Sequence, residues 1–345
     1  MKIVGCDLHT RYQQIAVLDE ETGELMERRL EHANGEAKEF YASLSGPVRV
    51  GIEATGHTRW FERLLSELGH ELWMGDAARI RASEVRKQKT DARDAALLLD
   101  LLLSGRFPRI WRPTAEARDL RHLLWHRQRL VWMRNAIGNQ LHGLAMGEGL
   151  CRKKQLFTKK GRCQLQALKL DAWASRQRQE LLVMLDQLDA SLKQFDQAVN
   201  EQAAANPEAA RLMTHPGVGP VTSLAFVLIV GPVTRFQRSK QLVSYLGLNP
   251  CEHSSGGKQK LGAISKQGNP MLRGLLVEAG HTAARMDPEL RQDYQRLRLR
   301  RGGSVAKVAI ARKLAVRMYW MLRREVNYTQ LVRMQGSSRA TLVQQ

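Results

Sequence analysis

Four acidic residues stand where their carboxylates could share a metal ion. Asp7 falls within the segment GCDLH and Glu53 within GIEATG, each at the end of a short apolar run. Asp91 and Asp94 follow in KTDARDAALL, three residues apart, and therefore lie on one face of a helix. Because a charge that interrupts an apolar run is costly unless it is paired, Asp7 and Glu53 are difficult to explain as isolated acids.

Such a set of carboxylates predicts a site for phosphoryl transfer. Four carboxylates at one point repel one another and do not all ionise there without added positive charge. Hard divalent cations, Mg²⁺ or Mn²⁺, accept oxygen ligands of this kind. Two such ions can activate a nucleophile and stabilise a leaving oxygen. The alternative is that Asp7 and Glu53 cap strand ends while Asp91 and Asp94 are solvated helix acids. The joint pattern favours the metal site.

A second candidate for chemistry is the segment GLNPCEHSSGGKQKLGAISKQGNP, residues 247–270. It sets Ser254 and Ser255 before two glycines, Gly256 and Gly257. The basic residues of the segment are Lys258, Lys260 and Lys266. A serine on a glycine-rich, positively charged loop can attack a phosphodiester if a base accepts its proton. Composition alone favours the simpler alternative, a flexible loop that binds phosphate.

Two further segments could contact phosphates. HPGVGPVT, residues 215–222, contains Gly217 and Gly219, whose backbone N–H groups could approach an anion at a helix N-terminus. A plain turn between two helices is the alternative for that segment. Residues 152–162 carry six positive charges and no acid, including Lys153 and Lys154. A solvated loop and a phosphate contact are both compatible with that run.

The composition indicates a polyanionic partner. The 345 residues include 54 Lys and Arg against 34 Asp and Glu, a net charge of +20. Nucleic acid is the first candidate for such an excess, and a membrane surface is the rival. No apolar run approaches the roughly 20 residues of a membrane-spanning helix, and no secretory signal is recognisable. The four cysteines are far apart, which favours reduced thiols in a cytoplasmic protein over a disulfide framework or a zinc site.

The elements that must position the acids follow from short runs of apolar residues. Three strands are predicted at Lys2–Leu8, Gln14–Asp19 and Leu25–Leu30, with a fourth at Val48–Ile52 and a fifth at His70–Met74. Helices are predicted at Glu36–Leu44, at Trp60–Leu68 and, as one long basic helix, at Ala77–Leu103. This order predicts a mixed α/β sheet with helices on its faces.

The rest of the chain is predicted to be helical. Leu123, Leu130, Ile137 and Leu144 recur every seven residues, and a second heptad stretch runs from Leu181 to Val199. These helices are expected to form an antiparallel hairpin or an intermolecular coiled coil. We predict three parts: 1–107, an α/β domain with the acidic residues; 108–205, a helical, coiled-coil region with the basic loop; and 206–345, a helix-rich C-terminal domain.

Taken together, the motifs GCDLH, GIEATG, KTDARDA, PGVGPVTS and HSSGGKQKLGAISKQG resemble the DEDD transposases of the IS110 and IS1111 insertion sequences. The resemblance extends to relatives of the pilin-gene invertase, covers nearly the whole chain and keeps the motifs in order. It implies a RuvC-like (RNase-H-like) first domain, a coiled-coil middle and a C-terminal transposase domain with a catalytic serine.

The resemblance also implies roles for individual residues. Asp7, Glu53, Asp91 and Asp94 match the family's acidic tetrad, which would bind Mg²⁺ or Mn²⁺. The family's serine falls on Ser255, with Ser254 as the near alternative. The implied reaction cuts and rejoins donor and target DNA through a phosphoserine linkage. A noncoding guide (bridge) RNA would pair with both DNAs, as in other guided systems. The implied assembly is a tetramer, a dimer of dimers, in which one subunit's serine loop completes another's acidic site.

Three functional hypotheses remain. The first is an RNA-guided DNA recombinase of the bacterial cytoplasm and nucleoid that uses Ser255 with the tetrad. The second is a metal-dependent, structure-specific nuclease resembling a junction resolvase, with water as the nucleophile. The third is a nucleic-acid-binding protein without catalysis, whose binding would fall steeply with salt. The first is favoured, because it accounts for the serine segment as well as for the acids.

Overall fold

The N-terminal residues form a mixed five-stranded sheet. The structure, a computed structural model, describes residues 1–83, 90–152, 154–252 and 260–334. These residues belong to two compact units, Met1–Arg112 and Pro113–Gln345. The strands of the first unit are β1 (Lys2–Leu8), β2 (Tyr12–Asp19), β3 (Leu25–Glu31), β4 (Val48–Glu53) and β5 (Glu71–Gly75). Their order in the sheet is β3-β2-β1-β4-β5. The predicted mixed α/β sheet is therefore confirmed.

The direction of the strands changes at β1. Strands β1, β2 and β3 pair antiparallel as a meander, whereas β4 runs parallel to β1 and β5 runs parallel to β4. The crossover from β3 to β4 contains α1 (Glu36–Ser43), and the crossover from β4 to β5 contains α2 (Arg59–Glu67). Parallel strands need such connections, since a short turn cannot return the chain to the same end of the sheet.

Each face of this sheet is covered by helices. Alternate residues of β1, namely Val4, Cys6 and Leu8, pack in one apolar cluster with Phe61 and Leu65 of α2. The opposite face of β1 packs with α4 (Asp91–Leu103). Because side chains alternate along a strand, Asp7 lies on the face of β1 that α4 covers.

The single helix predicted for Ala77–Leu103 is not observed as one helix. Instead α3 spans Ala77–Ala82 and α4 begins at Asp91. Residues 84–89 lie outside the described residues. The physical reason for the new start is Thr90, whose backbone is extended and whose side chain accepts a hydrogen bond from the N–H of Arg93. A threonine in this position is a helix N-cap, so a separate helix begins after it.

The described part of the second unit is mainly helical. Its helices are α5 (Ala115–Gly147), α6 (Lys159–Gln166), α7 (Ala172–Ala205), α8 (Pro207–Met213), α9 (Pro220–Val230), α10 (Ser239–Tyr245), α11 (Pro270–Met286), α12 (Pro288–Arg301) and α13 (Gly303–Arg323). Helix α9 is buried from Thr222 to Val230 and forms the centre of the core with α11 and α13. No helix in the described ranges is long and apolar enough to cross a membrane.

The two long helices α5 and α7 pack against each other and run antiparallel. Arg127 of α5 donates to Asp196 at 2.8 Å, and Arg134, one heptad further along α5, donates to Asp189, one heptad earlier in α7. Leu130 and Ile137 of the first heptad pattern and the leucines of the second pattern are buried between the helices. This packing matches the predicted antiparallel hairpin.

A short hairpin flanks the serine segment. Strand β6 (Pro250–Glu252) pairs antiparallel with β7 (Leu261–Ile264). Residues 253–259, which include both candidate serines, lie outside the described residues. Part of the stretch predicted as a glycine-rich loop, Ser254–Gly268, is therefore a strand.

Candidate active site

The register of β1 and β4 brings two of the predicted acids side by side. Cys6 pairs with Ile52 in this parallel ladder, and Asp7 and Glu53 are the next residues on the two strands. The carboxyl ends of neighbouring parallel strands meet at one edge of a sheet. Both acidic side chains lie on the face covered by α4, since two residues earlier Gly5 and Gly51 also face α4. The sequence motifs GCDLH and GIEATG are thus adjacent in space.

Helix α4 approaches this edge closely because Gly5 has no side chain. A Cβ at Gly5 would come within 2.2 Å of the carbonyl oxygen of Ala95 and within 2.4 Å of the backbone nitrogen of Leu99. The close contact brings the first turn of α4, with Asp91 and Asp94, to the end of β1. Acids in a first helical turn are also favoured by the helix dipole, so their presence alone does not indicate a metal site.

A narrow cavity of about 20 Å³ connects three of the four acids. Asp7, Glu53 and Asp94 line it together with Arg81, and its apolar wall consists of Ile80, Leu97 and Leu98. A cavity of this size has room for about one water molecule or one ion. The residues that were singled out as distant motifs therefore share one small space in the first unit.

The fourth acid, Asp91, belongs to a polar cluster beside this cavity. The hydroxyl of Tyr12 donates to Asp91 Oδ2 at 2.8 Å. His9 Nε2 lies 3.1 Å from Asp7 Oδ2 and 3.6 Å from Asp91 Oδ2, between the two carboxylates. Ligand atoms of Asp7, His9 and Asp91 lie within 4.8 Å of one another, a spacing at which they could hold a metal ion.

The electrostatics of the cluster favour a cation. Burial raises the pKa of Asp7, and the charges of Asp94 and Asp91 raise it further, while His9 acts in the opposite direction. Repulsion between neighbouring carboxylates is relieved when a cation binds among them. Carboxylate oxygens with one imidazole nitrogen suit a hard or borderline divalent cation. The donor set therefore fits the predicted divalent metal, and it does not distinguish Mg²⁺ from Mn²⁺.

His9 and Tyr12 were missed by the sequence analysis. His9 could have been found, because it stands two residues after Asp7 in GCDLH and residues i and i+2 of an extended chain point to the same side. Tyr12 carries no comparable local signal. It reaches the site because β2 returns beside β1, with the backbone N–H of His9 donating to the carbonyl of Tyr12 at 3.0 Å.

The other predicted site residues belong to the second unit. Ser254, Ser255, Gly256, Gly257, Lys258 and Lys153 lie outside the described residues. Lys154, Lys260 and Lys266 are exposed. Gly217 has a φ of 87°, and a Cβ there would lie 2.5 Å from the backbone nitrogen of Ala283, so this glycine packs against α11. Gly219 precedes α9 and has open space where a Cβ would stand.

Models of known families match both units. A transposase model for the DEDD domain of IS110-type elements matches residues 4–146, which contain all four acids. A second model, described as the transposase IS116/IS110/IS902 family, matches residues 209–295, which contain the β6–β7 hairpin.

Individual relatives agree with these matches. The chain is 30% identical over 340 residues to the "Transposase for insertion sequence element IS1111A" of Coxiella burnetii, covering 95% of this chain and 91% of the relative. It is 29% identical over 339 residues to a "Probable family 20 transposase" of Pseudomonas aeruginosa, covering 94% and 98%. A shorter match, 30% over 125 residues, covers 36% of this chain and 38% of the "Pilin gene-inverting protein" of Moraxella lacunata. The chain therefore belongs to the IS110-type DEDD transposases, a family of DNA transposases and recombinases.

Proposed function

We propose that this chain cuts and rejoins DNA strands as the recombinase of an insertion sequence, using a divalent metal site and a serine. The observation that carries the proposal is the convergence of Asp7, Glu53 and Asp94 on one cavity, with Asp91 beside it, in a member of a transposase family. In this proposal Asp7, Glu53, Asp91 and Asp94 hold Mg²⁺ or Mn²⁺.

The residues of the acidic site have separate tasks. A bound divalent cation would neutralise charge that develops on the phosphate oxygens during strand transfer. Asp7 and Glu53 are fixed by their strands and supply a rigid edge of the site. Asp91 is held in orientation by the hydroxyl of Tyr12, at 2.8 Å. His9 bridges Asp7 and Asp91 and limits the distance between them.

The nucleophile in this proposal is Ser255. Its Oγ forms a bond to the phosphorus of the scissile phosphodiester as the bond from phosphorus to one sugar oxygen breaks. The serine proton passes to a base, and the departing sugar oxygen takes up a proton. Attack by a sugar hydroxyl on the phosphoserine then rejoins a strand and regenerates the serine. The paired strands β6 and β7, which precede and follow the serine segment in the chain, support this role because they hold both ends of the segment together.

The finer architecture is part of the proposal. The order β3-β2-β1-β4-β5, with β2 antiparallel to β1, supports a RuvC-like first domain at 1–107. The antiparallel packing of α5 and α7 supports a coiled-coil region within 108–205, and the remainder, 206–345, would be the transposase domain. The assembly is proposed to be a tetramer in which one subunit's serine segment completes the acidic site of another.

A noncoding guide RNA is the proposed second nucleic-acid partner, with the protein acting in the bacterial cytoplasm and nucleoid. The net charge of +20 supports a large polyanionic partner. The test is to purify the full chain from cells that carry its coding region with the flanking DNA, and to sequence the RNA that remains bound. RNA from the flank with stretches complementary to donor and target DNA is expected. Bound RNA without any such enrichment contradicts the guided mechanism.

The serine is tested by trapping the covalent product. The full chain and plasmid DNA carrying the element's ends are incubated with Mg²⁺, and protein–DNA adducts that resist detergent are measured. The Ser255→Ala variant is expected to lose both the adduct and strand cutting, while Ser254→Ala, a matched neighbour, retains them. Cutting by Ser255→Ala at the normal rate, without any adduct, indicates a nuclease that uses water instead. Loss in Ser254→Ala alone contradicts the choice of serine.

A further inference from the structure

Helix α12 (Pro288–Arg301) ends in a projecting basic segment. Leu290 is its only buried residue, and residues 298–301 are all exposed. Leu299 is 89% exposed, the largest exposure among the large apolar side chains of the described residues. A helix of a globular unit normally keeps an apolar stripe against the core. The stripe of α12 continues from Leu290 through Tyr294 to the half-buried Leu297. The last turn, residues 298–301, lies beyond it, so the core does not account for the sequence of that turn.

The charges of this segment are not compensated within the described part of the chain. Arg296 pairs with Asp293 at 2.8 Å, whereas Arg298, Arg300 and Arg301 have no hydrogen bond or ion pair with a described residue. Positive charge near a helix C-terminus is favoured by the helix dipole, but that effect is worth only about 0.3–1 kcal/mol and is confined to the last turn. Like charges at i and i+3 also oppose each other. An external anion is therefore the natural partner.

The arginines are distributed around the helix. Successive residues of a helix are rotated by roughly 100°. Measured around the helix axis from Arg298, Leu299 therefore stands at about 100°, Arg300 at about 200° and Arg301 at about 300°. A helix lying on one phosphate backbone would need positive charge on one side alone. Guanidinium groups on several sides can reach phosphates on both walls of a groove, while the leucine faces its floor.

We propose that the last turn of α12, residues 298–301, enters the major groove of double-stranded DNA. This inference rests on the proposed function only in taking DNA as the substrate. A helix with its side chains is about 10–12 Å across, and the major groove of B-form DNA is about 12 Å wide. The major groove of an RNA duplex is too deep and narrow for side chains to read. Leu299 provides an apolar surface for the methyl groups of thymines.

The charge contribution is tested with a triple variant, Arg298→Gln, Arg300→Gln and Arg301→Gln, in the full chain. Binding to a fluorescein-labelled 30-base-pair DNA duplex is measured by anisotropy at several salt concentrations, after bound RNA has been removed. Loss of about three phosphate contacts lowers the slope of log K against log salt by about 2.7. The control removes three exposed charges from the first unit, with Lys38→Gln, Arg59→Gln and Arg63→Gln. An equal change of slope in both variants overturns the proposal.

The groove is tested with modified DNA. A duplex in which glucosyl-hydroxymethylcytosine replaces cytosine has the same phosphates but a filled major groove. The unaltered chain is expected to bind it at least about tenfold more weakly than plain DNA, and the triple variant is expected to bind both alike. Equal binding of the two duplexes by the unaltered chain overturns the groove contact, as does an equal loss of RNA-duplex binding in the triple variant. Strand cutting is not part of this measurement, so a chain that fails the Ser255 test can still pass it.

Discussion

Two clusters of charged side chains, one in each compact unit, differ in how their charges are arranged. In the first unit, Asp7, Glu53 and Asp94 share a cavity. Burial raises the pKa of Asp7, His9 opposes that rise, and repulsion from Asp94 and Asp91 adds to it. In the second unit, Asp287 is almost completely buried, but Arg317 donates to it at 2.8 Å. The first cluster brings several carboxylates together, with Arg81 and His9 beside them, whereas the second pairs one buried carboxylate with a buried guanidinium.

The pairing in the second unit is extensive. Asp287 caps α12 by accepting from the backbone N–H of Leu290 at 2.7 Å, and it also accepts from the hydroxyl of Tyr328. Burial alone would raise the pKa of Asp287, yet these hydrogen bonds and the charge of Arg317 together lower it. A buried group with complete partners serves the fold. A partly buried carboxylate whose neighbours repel it is typical of a functional site. Here that carboxylate belongs to the proposed metal site.

The largest expected effect is on the stability of the second unit. Arg317→Met leaves the carboxylate of Asp287 buried without its cation, and removal of one partner of a buried pair costs about 3–5 kcal/mol. Hydrogen exchange of α13 peptides in the native full chain measures the loss. Arg323→Met, at an exposed position of the same helix, is the control and is expected to change stability by less than about 0.5 kcal/mol.

A second variant separates charge from packing at this cluster. Asn at position 287 keeps the helix cap but carries no charge, so the double variant Arg317→Met with Asp287→Asn is expected to recover much of the lost stability. If the double variant is as unstable as Arg317→Met alone, the pairing of charges is not what the cluster contributes.

The opposite response is expected at the acidic site. Asp7→Asn keeps the shape of the side chain and removes one of the mutually repelling charges, so the free energy of unfolding should stay constant or rise slightly. Strand cutting should fall at least about 100-fold, since removal even of a group that only supports a metal ligand costs 10–100-fold. Asp100→Asn, at an exposed acid of helix α4 in the same unit, is the control and should cut normally. An unstable Asp7→Asn protein with normal cutting would make this carboxylate a structural one.

The cluster of the second unit is also expected to respond to acid, through His215. His215 Nδ1 donates to the carbonyl of Pro216 at 2.8 Å, and its Nε2 accepts from Arg317 at 3.4 Å, which fixes the neutral ring. Burial lowers the pKa of His215 to about 4, and the adjacent Arg317 acts in the same direction, whereas Asp287 and the carbonyl of Pro216 oppose the shift. The unfolded chain therefore takes up this proton first.

Stability attributed to the neutral ring is complete above a pH of about 6.5 and falls as the pH drops towards 4. We expect His215→Gln to lose about 3 kcal/mol less than the unaltered chain between pH 7 and pH 4, measured by hydrogen exchange of α13 peptides. Parallel pH curves for the two proteins would show that His215 does not titrate in this way.

The sequence predicted these two clusters unequally well. Asp7 and Glu53 stand at the ends of apolar runs, and their convergence follows once β1 and β4 are neighbours. The sequence alone left that adjacency open, and the register of the sheet shows it. The mixed α/β class and the strand positions were also predictable from apolar runs. Strands show either alternating apolar and polar residues or a few consecutive apolar residues.

The second cluster has no local pattern. His215 and Arg317 are 102 positions apart, and Asp287 and Arg317 are 30 apart. Each is one of many charged or polar residues in a basic, helical region, so their contact depends on the packing of α11, α12 and α13. The sequence analysis predicted one helix where α3 and α4 are separate. The cap at Thr90 was missed because it stands in a run of charged residues. Tyr12 was missed because its contact with Asp91 crosses from a strand to a helix 79 positions away.

The smallest expected effect concerns this tyrosine, and it tests whether Asp91 belongs to the metal site with the acids of the cavity. Tyr12→Phe removes the hydrogen bond to Asp91 and keeps the ring contacts with His9 and with Arg29. A carboxylate that loses an orienting donor binds a metal about tenfold more weakly. Titration of the full chain with Mn²⁺, followed by electron paramagnetic resonance, measures that change without any DNA. Tyr294→Phe in the second unit, at a tyrosine whose ring contacts that of His281, is the control and should bind Mn²⁺ normally. An unchanged affinity for Mn²⁺ in Tyr12→Phe would place Asp91 outside the metal site, and the acidic cluster would then consist of Asp7, Glu53 and Asp94 alone.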